Sequence, residues 1–235
     1  MRKVAIIQAR MRSTRLPGKV MKTLAGERVL WRVMTRVKET AGLDDVIVAT
    51  STEKADDVIA DYCHRHRWPY HRGPEHDVLS RYVEGARVAD ADIVVRITCD
   101  CPFISPLIID RMLEAFNPDS MDYMSTNYPK RSFPVGLDCE IMTLEALKRA
   151  DRGATRSYDR EHVTAYIYTH PDEFRLHGFA CDTDMSHIRI MLDTEEDYQS
   201  LQNFVATCPE ICDPQSDVLA ACGRYLGLPL NLDPA

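Results

Sequence analysis

Short apolar runs alternate with helix-period patterns through the first half of this 235-residue chain. Val4-Ala5-Ile6-Ile7 and Val46-Ile47-Val48-Ala49 are unbroken apolar runs of strand length, and Ile93-Val94-Val95-Arg96-Ile97-Thr98 is the clearest strand of all. Runs without polar alternation suit strands covered on both faces. Between them, Val29, Leu30, Val33, Met34 and Val37 recur at helical spacing as far as Gly42. Further helices are predicted from about Lys54 to His66, from Asp77 on Val78, Leu79, Tyr82, Val83 and Ala86, and near Leu107–Phe116. Pro69-Tyr70-His71 reads as a short strand. This alternation predicts an α/β fold of Rossmann-like layering, with a mostly parallel central sheet and helices on both faces.

From about Asp122 the pattern changes. Tyr123–Thr126, Val135–Met142, Phe174–Ala180 and Ile188–Met191 read as strands, with helices near Leu144–Ala150, Arg160–Thr169, Glu195–Ala206 and Asp217–Tyr225. A strand-rich half of this kind is expected to add antiparallel strands that wall a site. No internal repeat, low-complexity tract or Gly/Ser linker divides the chain, so a single domain over 1–235 is expected, with parts at 1–120, 121–200 and a C-terminal helical stretch at 201–235.

Chemistry first shows where the first strand ends. Gln8-Ala9-Arg10-Met11-Arg12-Ser13-Thr14-Arg15-Leu16-Pro17-Gly18-Lys19 packs four cations, two hydroxyls and a Pro-Gly turn into twelve residues. Arg offers forked donors and Lys a point charge, and Pro-Gly bends the backbone toward a ligand. In open α/β sheets, ligands gather beyond the carboxyl ends of the strands, where this loop must lie. A nucleotide triphosphate site is the reading, although neither G-x-x-x-x-G-K-[ST] nor G-x-G-x-x-G is present.

Composition, 45% hydrophobic and 28% charged, is that of an ordinary soluble domain. The net charge of −7 is unevenly spread, since residues 1–40 hold eleven Lys/Arg against two acids. An acidic protein with a basic entrance favours a small anion over a nucleic acid, which needs an extended basic face and interleaved aromatics. Arg2 and Lys3 precede only four apolar residues, and no run approaches the roughly 18 of a membrane span, so a cytoplasmic location without a membrane partner is expected. Eight cysteines are then expected as buried thiols, and their spacing makes a poor zinc set.

Two acids follow strand-like runs. Asp100, in Asp-Cys-Pro after the Ile93–Thr98 run, and Asp193, after Ile188–Leu192, are candidate Mg²⁺ ligands, because a phosphate site needs charge compensation beyond side-chain cations. Thr50 and Ser51 at a strand end are candidates for a base edge. Arg72, Asp77 and Arg81 are further candidates, Asp77 and Arg81 being spaced equally well for a plain i,i+4 ion pair. Tyr128 and Arg131 suit an acceptor carrying a carboxylate, and Asp138 or Glu140 suit sugar hydroxyls. His162 is a substrate candidate or part of a capped surface helix.

Several of these stretches resemble a known family. Ile7–Lys19, Val48-Ala49-Thr50-Ser51, Arg72-Gly73 with Asp77-Val78-Leu79-Ser80-Arg81-Tyr82, and Arg96-Ile97-Thr98-Cys99-Asp100-Cys101-Pro102 are similar to the cytidylyltransferases that make CMP-activated acidic sugars, nearest the spore-coat polysaccharide biosynthesis branch. Gly136–Glu140, Asp159–Thr164 and Leu192–Asp197 extend the resemblance over roughly residues 4–200. It implies a nucleotide-diphospho-sugar transferase fold, CTP as donor, Mg²⁺ and a homodimer, with 1–120 as the nucleotide half and 121–200 as the acceptor and dimerisation half. Carried over by position, Arg10, Arg15 and Lys19 hold the triphosphate with Ser13 in the same loop, Arg15 and Lys19 act catalytically, and Asp100 and Asp193 hold metal. Cys99 and Cys101 depart from the Gly or second acid that other branches place beside the aspartate. The expected reaction moves CMP from CTP to a hydroxyl of a nonulosonic or octulosonic sugar acid and releases pyrophosphate. A nucleotide-sugar-dependent glycosyltransferase is the rival enzyme, against which the lack of Asp-x-Asp counts, and a catalytically silent nucleotide-binding subunit is the rival of another class.

Overall fold

The computed structural model describes residues 1–227, so the last eight residues of the expected C-terminal stretch lie outside the described residues. In chain order the elements are β1 (Lys3–Gln8), β2 (Thr23–Leu24), β3 (Glu27–Arg28), α1 (Val29–Lys38), β4 (Asp45–Ser51), α2 (Asp57–Arg65), β5 (Tyr70–Gly73), α3 (Val78–Val88), β6 (Ile93–Thr98) and α4 (Pro106–Ala115). There follow β7 (Tyr123–Ser125), β8 (Glu140–Thr143), α5 (Leu144–Gly153), α6 (Ser157–His162), α7 (Ala165–Thr169), β9 (Leu176–Gly178), α8 (Glu195–Thr207) and α9 (Val218–Leu226).

Seven strands form one sheet in the order β5-β4-β1-β6-β8-β7-β9. β1 lies parallel to both β4 and β6, β5 is parallel to β4, and β9 is parallel to β7. Only β8 runs against its neighbours, antiparallel to β6 and β7. The fold class is the predicted one, an α/β fold with a mostly parallel central sheet and a few antiparallel pairings.

The apolar runs are explained by burial on two sides. Ala5 and Ile7 of β1 join a core with α1, α2, α4, α8 and α9, while Val4 and Ile6 of the same strand join a second core with α3, α5 and α7. Helix starts follow their caps: Ser105 precedes α4, Thr143 precedes α5, Asp217 precedes α9, and Thr194 makes a reciprocal capping box with Asp197 at α8.

The second half departs from the pattern reading in two places. Val135 and Arg189 form a single isolated parallel bridge, so neither 135–139 nor 188–191 is a strand. Gly136 crosses the other segment so closely that a Cβ there would sit 2.7 Å from the carbonyl carbon of Ile190, and at a φ of 110° the chain turns away after one contact. The single helix expected over 160–169 is instead two short ones. Val163 breaks it with φ 57° and ψ −63°, a three-residue turn closed by the Thr164 N–H on the His162 carbonyl at 2.6 Å.

Arg36 ties the C-terminal helices to this core. Its guanidinium is buried and donates to the carbonyls of Ile104 at 2.6 Å and of Ile211 and Asp213 at 3.0 Å. Burial pulls its pKa down to about 10. Arg36→Ala leaves three carbonyls without their donor and should destabilise the protein by roughly 3 kcal/mol or more, read as a lower denaturation midpoint in urea.

Candidate active site

The carboxyl ends of β1, β4 and β6 are brought level by the sheet register: Gln8 pairs with both Ala49 and Thr98. The basic loop leaves β1 there and folds back on itself, the Gly18 N–H donating to the Met11 carbonyl at 2.8 Å. Its other anchor is Asp56. One carboxylate oxygen accepts from the Met11 N–H at 2.6 Å, and the other accepts from the N–H and hydroxyl of Ser51.

Lys19 stands at the far end of the loop and its ammonium lies 2.8 Å from Asp100 and 3.0 Å from Asp193. Arg15 reaches the second oxygen of Asp193 at 2.5 Å. Three segments far apart in sequence therefore meet at one cation. Asp100 leaves β6, and its backbone carbonyl accepts from the Leu192 N–H at 2.8 Å, which docks the Asp193 segment beside it. Asp197, clamped side-on by Arg189 at 2.7 and 2.8 Å, accepts from the Asp193 N–H and fixes that residue's backbone.

Burial works against the Lys19 ammonium, but the neighbouring Asp100 and Asp193 carboxylates outweigh it and hold its pKa above the ordinary lysine value. Burial likewise opposes the Asp100 carboxylate, and Lys19 reverses that effect and holds it below the usual range. Cys99 and Cys101 are pushed far up by burial, so the carboxylate is flanked by neutral thiols.

A cavity of about 380 Å³ opens over this cluster, lined by Arg10, Ser13, Arg15, Lys19, Arg81, Asp100, His162 and Asp193 among the expected residues. A second, of about 680 Å³, is lined by Tyr128, Asp138 and Glu140. Gln8, Arg96, Thr98, Asp100 and His162 belong to both, so the two form a continuous cleft with those residues at the junction. Arg131 lines neither but pairs with Asp138. Glu140 pairs across the strands with Arg96 and also accepts from Tyr123 Oη at 2.5 Å and Thr164 Oγ1 at 2.7 Å.

Thr50, Ser51, Arg72 and Asp77 are not brought to the cleft. Thr50 and Ser51 are fully buried, and Ser51 is occupied by Asp56. Arg72 braces the turn after β4 through the carbonyls of Ser51 at 2.8 Å and Glu53 at 3.1 Å and the carboxylate of Asp57 at 2.8 Å. Asp77 caps α3 through the Ser80 N–H, and its ion pair is with Arg160 at 2.9 and 2.6 Å, not with Arg81. Sequence reasoning missed Gln8, Arg96, Thr98 and Glu161 as site residues. Arg96 carried a visible signal, a lone charge inside an apolar strand, and Glu161 reaches Arg10 at 3.1 Å from the other half of the chain.

Among the described residues no group of three or more His, Cys, Asp and Glu converges as a metal cage. Asp100 and Asp193 do converge on one cation, the Lys19 ammonium. Two hard oxygen donors beside a phosphate-sized cleft fit Mg²⁺, which takes one or two carboxylates and completes its shell with phosphate and water.

The sequence profile of the cytidylyltransferase family matches residues 4–220. The chain belongs to the cytidylyltransferase family. As such it is a nucleotidyltransferase, and CTP as a substrate fits the family. This cytidylyltransferase is 33% identical over 204 residues to the spore coat polysaccharide biosynthesis protein SpsF of Bacillus subtilis, covering 84% of this chain and 83% of that one. It is 32% identical over 132 residues to the 3-deoxy-manno-octulosonate cytidylyltransferase of Koribacter versatilis, covering 54% and 47% respectively. The solved structure of a cytidylyltransferase from Leptospira borgpetersenii superposes with a TM-score of 0.90 at 29% identity, over 97% of this chain and 94% of that one. No helix among the described residues is long and apolar enough to cross a membrane.

The Asp56 anchor supplies a test of how the basic loop is held. Asp56→Ala strips the buried Ser51 N–H and the part-buried Met11 N–H of their acceptor and should cost about 2–4 kcal/mol in chemical denaturation. Hydrogen exchange at the Met11 amide should rise with it, while exchange in β6 stays slow.

Proposed function

We propose that this enzyme transfers CMP from CTP to a hydroxyl of an acidic sugar, of nonulosonic or octulosonic type, with release of pyrophosphate, for surface polysaccharide or glycan synthesis. The observation that carries the reading is the bridge of Lys19 between Asp100 and Asp193 at the floor of one cavity, continuous with a second. The first cavity has the cations a triphosphate needs, and the second has the hydroxyls, amides and carboxylates that suit a sugar. The octulosonate-specific name of one relative supports the sugar acid, as do Arg96 and Arg131 beside the second cavity.

In this mechanism the acceptor hydroxyl oxygen attacks the α-phosphorus and gives up its proton to solvent, a new P–O bond forms, the bond between the α-phosphorus and its bridging oxygen breaks, and pyrophosphate leaves with that oxygen. Asp100 and Asp193 would hold Mg²⁺, which when bound supplies Lewis-acid polarisation of the phosphate. Lys19 and Arg15 bind the phosphates and stabilise the charge that moves onto the leaving pyrophosphate. Gln8, Thr98 and His162, shared by both cavities, orient the acceptor hydroxyl against the phosphorus. No residue needs to form a covalent intermediate, so positioning and fixed charge provide the rate.

Pyrophosphate release from CTP with a panel of nonulosonic and octulosonic acids tests the reaction, and turnover with none of them would refute the acceptor class. Lys19→Ala should lower kcat on the order of 10²-fold or more. Wild-type kcat in that variant would remove Lys19 from the mechanism. We also infer a cytoplasmic homodimer, and light scattering on purified protein should give twice the mass of one chain.

A further inference from the structure

We propose that Gln8 holds the carboxylate of the acceptor sugar through the two N–H groups of its side-chain amide, and that Arg96 turns the amide to face it. This rests on the acidic-sugar reading of the second cavity and adds the residue that recognises the acid.

Alternation along the strands puts the parts on one face of the sheet. Ile6 of β1 lies opposite Arg96 of β6, Gln8 opposite Thr98, and Arg96 opposite Glu140 of β8. Val4, Ile6, Val94 and Met142 belong to the core on that face, and Gln8, Thr98, Arg96 and Glu140 continue it as a polar row at the end where the cavities meet. Arg96 is paired with Glu140 through Nη1 and donates from Nη2 to the Gln8 side-chain oxygen at 3.1 Å. A guanidinium has no acceptor, so the amide oxygen must face it and the NH2 group is turned away. Among the described residues that nitrogen meets no acceptor, and it is not sealed from solvent. The pull of Arg96 on the oxygen also strengthens the two N–H groups as donors.

The second cavity offers a carboxylate little else. Asp100, Asp138 and Glu140 line it, and among the described residues Arg96 is its only lysine or arginine. Both Nη nitrogens of Arg96 are engaged and its Nε is buried, so its charge reaches the cavity through the Gln8 amide. Arg131 stands outside the lining and is spent on Asp138. Of the other residues common to both cavities, Asp100 repels an anion, Thr98 shares its one hydroxyl with the Cys101 thiol at 3.4 Å, and a neutral His162 has a single N–H. Gln8 is left with two donors on one free nitrogen.

The junction is also where such a carboxylate must lie. In the ring form of a 2-keto sugar acid the anomeric carbon carries both a hydroxyl and the carboxyl group, so the acid sits beside the oxygen that attacks. With the phosphates at Lys19 and Asp100 in the first cavity and the body of the sugar in the second, that carbon falls between the two, and Gln8 lines both. A donor pair there fixes which hydroxyl of the sugar meets the α-phosphorus. A neutral amide does so without adding a second cation beside Arg96, whose own charge Glu140 already balances.

Steady-state kinetics with each acid of the nonulosonic and octulosonic panel, and with its methyl ester, test the assignment. The wild type should use an acid roughly 10- to 100-fold more efficiently in kcat/KM than the ester, the worth of a hydrogen bond to a charged group. Gln8→Met keeps the side-chain volume and removes the donors, so it should lose most of that ratio by raising the KM for the acid while the KM for CTP stays at the wild-type value. Gln8→Glu keeps a partner for Arg96 and turns the donor into an acceptor, so it should fold and prefer the ester. Arg96→Lys keeps the charge beside Glu140 without the second donor, and should lower the ratio with Gln8 intact. Equal use of acid and ester by the wild type, an unchanged ratio in the folded variants, or a KM for CTP that rises as steeply as that for the acid would overturn the assignment alone. Turnover of no acid by the wild type would overturn the acidic-sugar reading and this inference with it.

Discussion

One ammonium shared by two carboxylates organises the site. Lys19 comes from the loop after β1, Asp100 from the end of β6, and Asp193 from the segment that enters α8, and they meet within 3.0 Å of one nitrogen. Three partly buried charges of this kind depend on the cation, since deleting Lys19 leaves the Asp100 carboxylate without its ion pair while Asp193 keeps only Arg15. The bridge also does something a rigid scaffold alone does not. It holds two like charges at a separation that a single cation can span before any ligand arrives, so the electrostatic work of assembling the site is done during folding.

The rest of the molecule serves that convergence. Parallel pairing of β1 with β4 and β6 brings their carboxyl ends to one edge, and the Asp56 anchor and Gly18–Met11 contact fold the basic loop over it. Beyond the bridge, the Arg96–Glu140 pair with Tyr123 and Thr164 forms a polar network that lines the second cavity. Glu140 is held in it by three donors, from Arg96, Tyr123 and Thr164. The strained turn at Val163 sits directly behind it and places His162 at the junction of both cavities.

Sequence alone made parts of this legible and not others, for physical reasons. Strands buried on both faces announce themselves as unbroken apolar runs, so β1, β4 and β6 could be read, and the charged loop and the two aspartates stood out because they ended such runs. Thr50, Ser51, Arg72 and Asp77 looked equally available, but sequence does not reveal a competing partner. Asp56 captures Ser51, and Arg160, 83 residues away, captures Asp77. The 188–191 segment has strand composition yet makes one bridge, because Gly136 steers its neighbour away. The reading of 160–169 as one helix failed for a related reason: Thr164 bonds to Glu140 and the His162 carbonyl to the Thr164 N–H, contacts that a continuous helix would forbid.

Crystals grown with CTP and Mn²⁺ in place of Mg²⁺ test the central claim most directly, because manganese gives an anomalous signal at a single locatable point. The account predicts a peak between the carboxylates of Asp100 and Asp193, with the triphosphate running along Arg15 and Lys19. A peak remote from that pair, or a triphosphate bound outside the cleft over β1 and β6, would contradict it.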